Sequence, residues 1–165
     1  MIKTDPELEA KKHDMSVRSM YFSRYLMIRY FSAAYVFTNL FWFIFAISYR
    51  DIVASIVAGI LLALILIASI EQAGKWHKKD TDLKFTTLYY GVQLIFNVLL
   101  ATACYSPLGK MFFPFITTIG VAHVIFTVLI AGILGCVLVL KRVQAIQSGK
   151  DKYLRAIKTF ERNRQ

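Results

Sequence analysis

The chain has 165 residues, of which 57% are hydrophobic, and its twenty Lys and Arg against ten Asp and Glu give a formal net charge of +10. Soluble domains of this size average closer to half apolar residues, so an ordinary soluble fold does not fit. The basic residues lie between long charge-poor blocks and do not mark one soluble surface. This placement excludes nucleic acid as the expected partner.

Four blocks with almost no charge hold most of the apolar residues, at 30–48, 52–70, 85–104 and 111–140. Each is about as long as a helix needs to cross a hydrocarbon layer of roughly 30 Å. The predicted fold class is all-α, an integral membrane protein with four transmembrane helices in an antiparallel bundle. We divide it into a cytoplasmic N-terminal segment, a transmembrane domain and a basic cytoplasmic tail, at 1–20, 21–140 and 141–165.

The basic residues follow the positive-inside rule. Six lie before the first block or at its edge, four lie between the second and third blocks, and eight follow the fourth. The two remaining connectors hold only Arg50 and Lys110, so eighteen of the twenty lie on alternate connectors. This pattern predicts a multi-pass protein of the bacterial cytoplasmic (plasma) membrane with both termini in the cytoplasm.

The first half of the chain predicts a lead-in helix and a hairpin. Pro6, just after Thr4 and Asp5, is a favoured helix start, so we expect a short cytoplasmic helix before the first span. Only residues 49–51 separate the first two spans, which predicts a tight antiparallel hairpin. The second span is expected to end in a polar cytoplasmic loop that includes Glu71 and Gln72.

Small residues at helical spacing predict helix-packing faces. Ser55, Gly59 and Ala63 recur every four residues in the second span, and Ala131 and Gly135 do so in the fourth. Such stripes let a neighbouring backbone approach closely in a membrane. We expect both stripes to contact other helices.

The second half predicts two more spans joined by an outer turn. Residues 106–109, of sequence SPLG, are typical of a turn. The fourth span is expected to carry Pro114 in its first turn. Because its apolar stretch is about thirty residues long, it either tilts or continues below the membrane as far as Ser148 and Gly149.

Four polar side chains within the spans form the candidate functional site: Asn39, Gln93, Asn97 and His123. Gln93 and Asn97 lie one turn apart on one face. Counting from the predicted boundaries, Asn39, Asn97 and His123 come close to the mid-plane. They either line a small polar cavity in which His123 titrates, or cross-link helices through ordinary hydrogen bonds.

The sequence offers no sign of catalysis or of a bound metal. No Asp or Glu lies within an apolar block, and no phosphate-binding, hydrolase or metalloprotease motif is present. Cys104 and Cys136 lie at different depths and match no metal or redox spacing. We therefore predict a protein without catalytic residues, metal or cofactor.

The tail predicts a basic amphipathic helix. Apolar residues recur at helical spacing among five basic ones, Lys150, Lys152, Arg155, Lys158 and Arg162. The helix either lies on the anionic lipids of the inner leaflet or docks a partner protein.

The four-helix layout, together with the tail KRVQAIQSGKDKYLRAIKTFE at 141–161, resembles small uncharacterised four-helix membrane proteins of Gram-positive bacteria. Some of these carry a sugar-phosphotransferase label. That activity needs an exposed His or Cys that can be phosphorylated. His77 has a suitable position but no surrounding motif, so we do not extend the label to this chain.

Three functions are compatible with these features. The first is a non-enzymatic accessory or scaffolding subunit with a membrane-protein partner or self-association. The second is a small oligomeric transporter or channel lined by Asn39, Asn97 and His123. The third is an envelope-lipid handling protein whose Lys78 and Lys79 hold phosphate.

Overall fold

Long helices form most of the described part of the chain. The computed structural model describes residues 6–74 and 82–149. Its five helices are α1 at Pro6–Ser48, α2 at Ile52–Gly74, α3 at Lys84–Ala103, α4 at Pro107–Phe112 and α5 at Ile119–Gln147. No strand occurs within these two ranges, which confirms the all-α prediction for this part of the chain.

Four of the helices are long and apolar enough to cross a membrane: Tyr25–Ser48 within α1, and the whole of α2, α3 and α5. Large apolar side chains point outward from them, with Phe37 59%, Ile56 57% and Leu134 60% exposed. An apolar surface of this extent is not stable in water, whereas lipid covers it well. The chain is therefore a multi-pass membrane protein.

Helix α1 is longer than the sequence predicts. It runs from Pro6 to Ser48 without interruption, so the predicted lead-in helix is not a separate element. No proline or glycine lies between these two residues, and nothing in the local sequence breaks the helix.

The predicted tight connection between the first two spans is present. Only Tyr49, Arg50 and Asp51 lie between α1 and α2. Arg50 takes a left-handed backbone conformation with φ 56°, which turns the chain sharply. Asp51 then caps α2, because its Oδ1 accepts a hydrogen bond from the Ala54 amide at 3.0 Å.

The predicted start of the fourth span is wrong by about two turns. Short helix α4 ends at Phe112, and α5 begins only at Ile119. Pro114 disfavours a helical conformation at Phe113, whose φ and ψ are −130° and 72°. Thr118 then caps α5, since its hydroxyl accepts a hydrogen bond from the Val121 amide.

At its other end α5 passes Leu140 and stops at Gln147, followed by Gly149 with φ 64°. The helix therefore extends as far along the chain as expected, to the residues before Ser148 and Gly149, while tilt and continuation below the membrane both stay predictions. The predicted tail helix at 150–162 lies outside the described residues.

The helices pack unevenly. Helix α1 packs closely along α2, and α3 along α5, whereas α1 and α5 touch only sparsely. The buried face of α2 follows a spacing of four and three residues through Ala54, Ala58, Leu61, Ile65, Ala68 and Gln72. This is the seam of a coiled-coil-like contact.

The packing stripe predicted at Ser55, Gly59 and Ala63 lies beside this seam and is only partly used. Gly59 faces the Phe43 ring, which a Cβ atom there would meet at 3.2 Å, but Ala63 is exposed. In α5, Gly135 is buried against Phe31 and Tyr35, whereas Ala131 is exposed. The small residues of the true seam are Ala54, Ala58 and Ala68, so the predicted stripe was displaced by one position from the buried face.

Two apolar clusters make up the core. One is built around Ile28, Tyr35, Ile65, Tyr90 and Cys136, and the other around Trp42, Ala58, Leu61, Leu100 and Leu129. The buried residues that lie between these two clusters on α1 and α3 are polar, namely Asn39, Gln93 and Asn97, and Gly132 lies between the clusters on α5. A polar layer thus separates two apolar ones.

Candidate functional site

Three of the four predicted site residues meet in this polar layer. Asn39, Gln93 and Asn97 are 2%, 4% and 4% exposed. Asn39 Nδ2 donates to the Tyr89 hydroxyl at 3.0 Å and approaches Gln93 Oε1 at 3.4 Å. Gln93 Nε2 donates to Asn97 Oδ1 at 2.9 Å. The network joins α1 to α3.

Tyr89 completes this network and was missed by the sequence analysis. Its hydroxyl accepts from Asn39 and donates to Gln93 Oε1 at 2.9 Å. Tyr89 precedes Gln93 by one helical turn, so the spacing of Tyr89, Gln93 and Asn97 was the available signal. A tyrosine near a membrane interface is common enough to hide that signal.

Each amide of the network has a defined orientation in the structure. Gln93 Oε1 accepts a hydrogen bond from Tyr89, and Gln93 Nε2 donates one to Asn97 Oδ1. The Asn97 Nδ2 group therefore points away from Gln93 and toward α5. A Cβ atom on Gly132 would lie 2.6 Å from it, so the missing side chain of Gly132 makes room for this amide.

His123 lies outside the network, contrary to the expectation that it shares the mid-plane with Asn39 and Asn97. Because α5 begins at Ile119, His123 is in its second turn, near the end of the span. It is exposed, and its Nδ1 forms a 2.7 Å hydrogen bond with the Tyr105 hydroxyl.

A second polar cluster joins α1, α2 and α3, nearer the end of the spans that lies opposite to His123. Ser32 and Gln72 bond each other, with Gln72 Nε2 donating to Ser32 Oγ at 2.9 Å. Ser32 also bonds the Tyr90 hydroxyl at 3.0 Å, and Gln72 Nε2 reaches Thr86 Oγ1 at 3.4 Å. All four residues are buried.

The sequence predicts a loop at Gln72 and gives no prediction for the other three residues of this cluster. The prediction for Gln72 is wrong because α2 continues to Gly74 and turns this side chain inward. Its neighbour Glu71 accepts hydrogen bonds from the Phe85 and Thr86 amides, at 3.2 and 2.8 Å, and so caps α3. Arg29 donates to the Gln72 carbonyl at 3.1 Å.

Tyr35 connects α1 to α5 between the two polar clusters. Its hydroxyl donates to the Gly132 carbonyl and contacts Cys136 Sγ at 3.1 Å. Its ring meets those of Tyr89 and Tyr90 edge to face, with centroids 6.1 and 5.5 Å apart. Aromatic quadrupoles favour this edge-to-face geometry. The three rings lie between the two polar clusters.

The remaining candidate groups offer little chemistry. Within 6–74 and 82–149, no three of His, Cys, Asp and Glu lie together as metal ligands would. Cys104 and Cys136 are both free and buried. His77, Lys78 and Lys79 lie outside the described residues, as do the five basic residues of the tail.

Comparison of the chain with protein-family models, with curated proteins and with solved structures found no match. The resemblance to small four-helix membrane proteins therefore stays a prediction. Any function must be inferred from the arrangement of these side chains.

Proposed function

We propose that this chain is a non-enzymatic accessory or scaffolding subunit of a larger membrane complex. The observation that carries the proposal is that the buried polar groups bond mainly to one another. Asn39, Gln93 and Asn97 form an interhelical network with Tyr89, and Ser32 and Gln72 form another. Such networks link transmembrane helices and fix their register. They leave few groups for handling a polar substrate.

The proposal includes an arrangement in the bacterial cytoplasmic (plasma) membrane. We infer an antiparallel four-helix bundle with both termini in the cytoplasm, because eighteen of the twenty basic residues lie on alternate connectors. Of the described connectors on the opposite side, the one between α1 and α2 has three residues, and the one between α3 and α5 has fifteen, which include the short helix α4. The cytoplasmic face then offers the main surface for a partner.

The basic tail is the proposed docking element. Its charges suit the anionic lipids of the inner leaflet, at roughly 1 kcal/mol for each basic residue near the surface. They equally suit an acidic face on a membrane-protein partner or on a second copy of this chain. Deletion of residues 150–165 separates these roles. Loss of the complex with retention of the protein in the membrane would support docking to protein.

A small oligomeric transporter is the second candidate. It was expected to place Asn39, Asn97 and His123 along one path. His123 instead bonds Tyr105 and is exposed near the end of α5. Since His123 was the titratable group of that site, its position counts against a proton-linked path through the amides.

The experiment that tests the proposal is affinity purification of the tagged chain from its native membrane in a gentle detergent, followed by mass spectrometry. Stoichiometric recovery of a larger membrane protein supports the accessory role. Recovery of this chain alone, as a discrete oligomer, contradicts it and favours transport. The matched control for the tail changes Lys152, Arg155 and Lys158 to Gln, which keeps the length and removes charge.

A further inference from the structure

A crevice runs between α1 and α5, where these two helices touch only sparsely. It consists of two cavities of about 290 and 330 Å³. The two share five lining residues, Thr38, Gln93, Asn97, Val128 and Leu129, so they are the two ends of one crevice. Each cavity is at the lower end of the range for sites that enclose small organic ligands.

The crevice opens toward lipid. Thr38 on α1 and Val128 on α5 both line it and are exposed on the outer surface of the helices. A molecule dissolved in the hydrocarbon layer could therefore enter sideways. Such a route selects for apolar ligands, because a polar solute would first have to enter the hydrocarbon.

The larger cavity is lined by aromatic rings, namely Phe41, Trp42, Phe45, Phe113 and Phe115. Trp42 and Phe113 lie with their centroids 5.4 Å apart and their planes tilted by 32°. Rings at this spacing make offset contacts with other flat rings. The lining favours a flat ring over a flexible chain.

Asn97 supplies an unused hydrogen-bond donor at the junction of the two cavities. It is 4% exposed, and Asn97 Nδ2 has no hydrogen-bond partner among residues 6–74 and 82–149. Asn97 Oδ1 already accepts a hydrogen bond from Gln93 Nε2, so the group that faces the crevice is the Nδ2 donor. A buried donor without a partner is costly, and an acceptor on a ligand would satisfy it.

The depth of Asn97 in the membrane restricts the kind of molecule that can carry this acceptor. Asn97 precedes the end of α3 at Ala103 by six residues, or about 9 Å along the helix axis. This places it inside the hydrocarbon layer, below the level of phospholipid headgroups. The acceptor must therefore be carried on an otherwise apolar molecule.

We propose that the crevice binds a lipid-soluble molecule with a flat, carbonyl-bearing ring, of which isoprenoid quinones are the natural class. The ring lies among the aromatic side chains of the larger cavity. Its carbonyl oxygen accepts a hydrogen bond from Asn97 Nδ2. An apolar tail leaves along the smaller cavity, past Ala34 and Ala131. The site goes beyond the accessory role and does not depend on it.

Trp42 makes the proposal testable by fluorescence. The chain has two tryptophans, so Trp76→Phe leaves Trp42, in the wall of the crevice, as the reporter. The protein is placed in phosphatidylcholine nanodiscs and titrated with menadione, a naphthoquinone. We expect saturable quenching, and Asn97→Leu should weaken the apparent affinity by about tenfold, the effect of a lost hydrogen bond.

Two further variants keep the test independent of folding. Val128→Phe fills the crevice from α5 without touching the amide network, and it should abolish saturable quenching. Val98→Leu, on the lipid-exposed side of α3, should leave quenching unchanged. Equal or unsaturable quenching in all variants would overturn the site. Displacement of menadione by added phosphatidylglycerol would also overturn it, in favour of a phospholipid occupant.

Discussion

Replacing Gln93 by Leu removes the centre of the polar layer. Gln93 takes part in three contacts, with Tyr89, Asn39 and Asn97, at 2.9, 3.4 and 2.9 Å. The contact with Asn39 joins two helices, and such hydrogen bonds in membranes contribute about 0.6 kcal/mol on average. The contacts with Tyr89 and Asn97 lie within α3, where a buried hydrogen bond contributes about 0.5–1.5 kcal/mol. Loss of all three therefore predicts a decrease of about 2 to 3 kcal/mol in the free energy of unfolding.

The assay is reversible unfolding in mixed micelles with a rising fraction of denaturing detergent, followed by far-UV circular dichroism. Thr127→Val is the matched control, because the Thr127 hydroxyl is exposed and bonds the His123 carbonyl of its own helix. That variant should stay within about 0.5 kcal/mol of the wild-type value. A double-mutant cycle of Gln93→Leu with Asn39→Ala, across the contact between α1 and α3, should give a coupling of about 0.6 kcal/mol.

A change of less than about 0.5 kcal/mol for Gln93→Leu would refute the reasoning, since surface substitutions commonly have effects of that size. The network would then contribute nothing to helix association. The support that it gives to the accessory role would be lost, and a polar path through the bundle would become the better explanation of these residues.

Three further predictions concern the ends of the helices. Gly109→Ala should destabilise the protein by about 2 kcal/mol in the same assay, because the new Cβ atom would lie 2.7 Å from two backbone carbonyl oxygens. The control is Gly91→Ala, which should be neutral or stabilising because no atom lies within 4 Å of the position of its Cβ atom. Glu71→Ala should cost about 1 kcal/mol through loss of the α3 cap. Burial raises the pKa of the Cys104 thiol, which lowers its thiolate fraction at neutral pH. A membrane-impermeant maleimide should therefore label Cys104 far more slowly than the new cysteine of Leu108→Cys, because position 108 is 60% exposed. Labelling of Leu108→Cys from the cytoplasmic side alone would contradict the proposed orientation.

The positions of the spans could be predicted from the sequence because charge is excluded from hydrocarbon. The four blocks correspond to four helices, and the turn at 49–51 follows from its length. The start of α5 could not be placed in this way. Residues 113–118 are apolar enough to continue a span, but Pro114 and the cap at Thr118 set the true boundary.

Which face of each helix points inward was harder to predict. In a soluble protein the apolar face is the buried one, but in a membrane both faces are apolar and the pattern loses this information. Only the polar residues still indicated which face points inward, and on that basis Asn39, Gln93 and Asn97 were correctly grouped. Gln72 was missed, because a polar residue near the end of a span also fits a loop.

The polar face of α3 has a consequence for synthesis. Of the four spans, α3 has the lowest mean hydropathy and the largest buried share. It is therefore the least able to leave the translocon for lipid unaided. Its partners Ser32, Asn39 and Gln72 lie on α1 and α2, which emerge from the ribosome first. Insertion of α3 should thus depend on the hairpin already in place, so that the order of the helices along the chain is also the order of assembly.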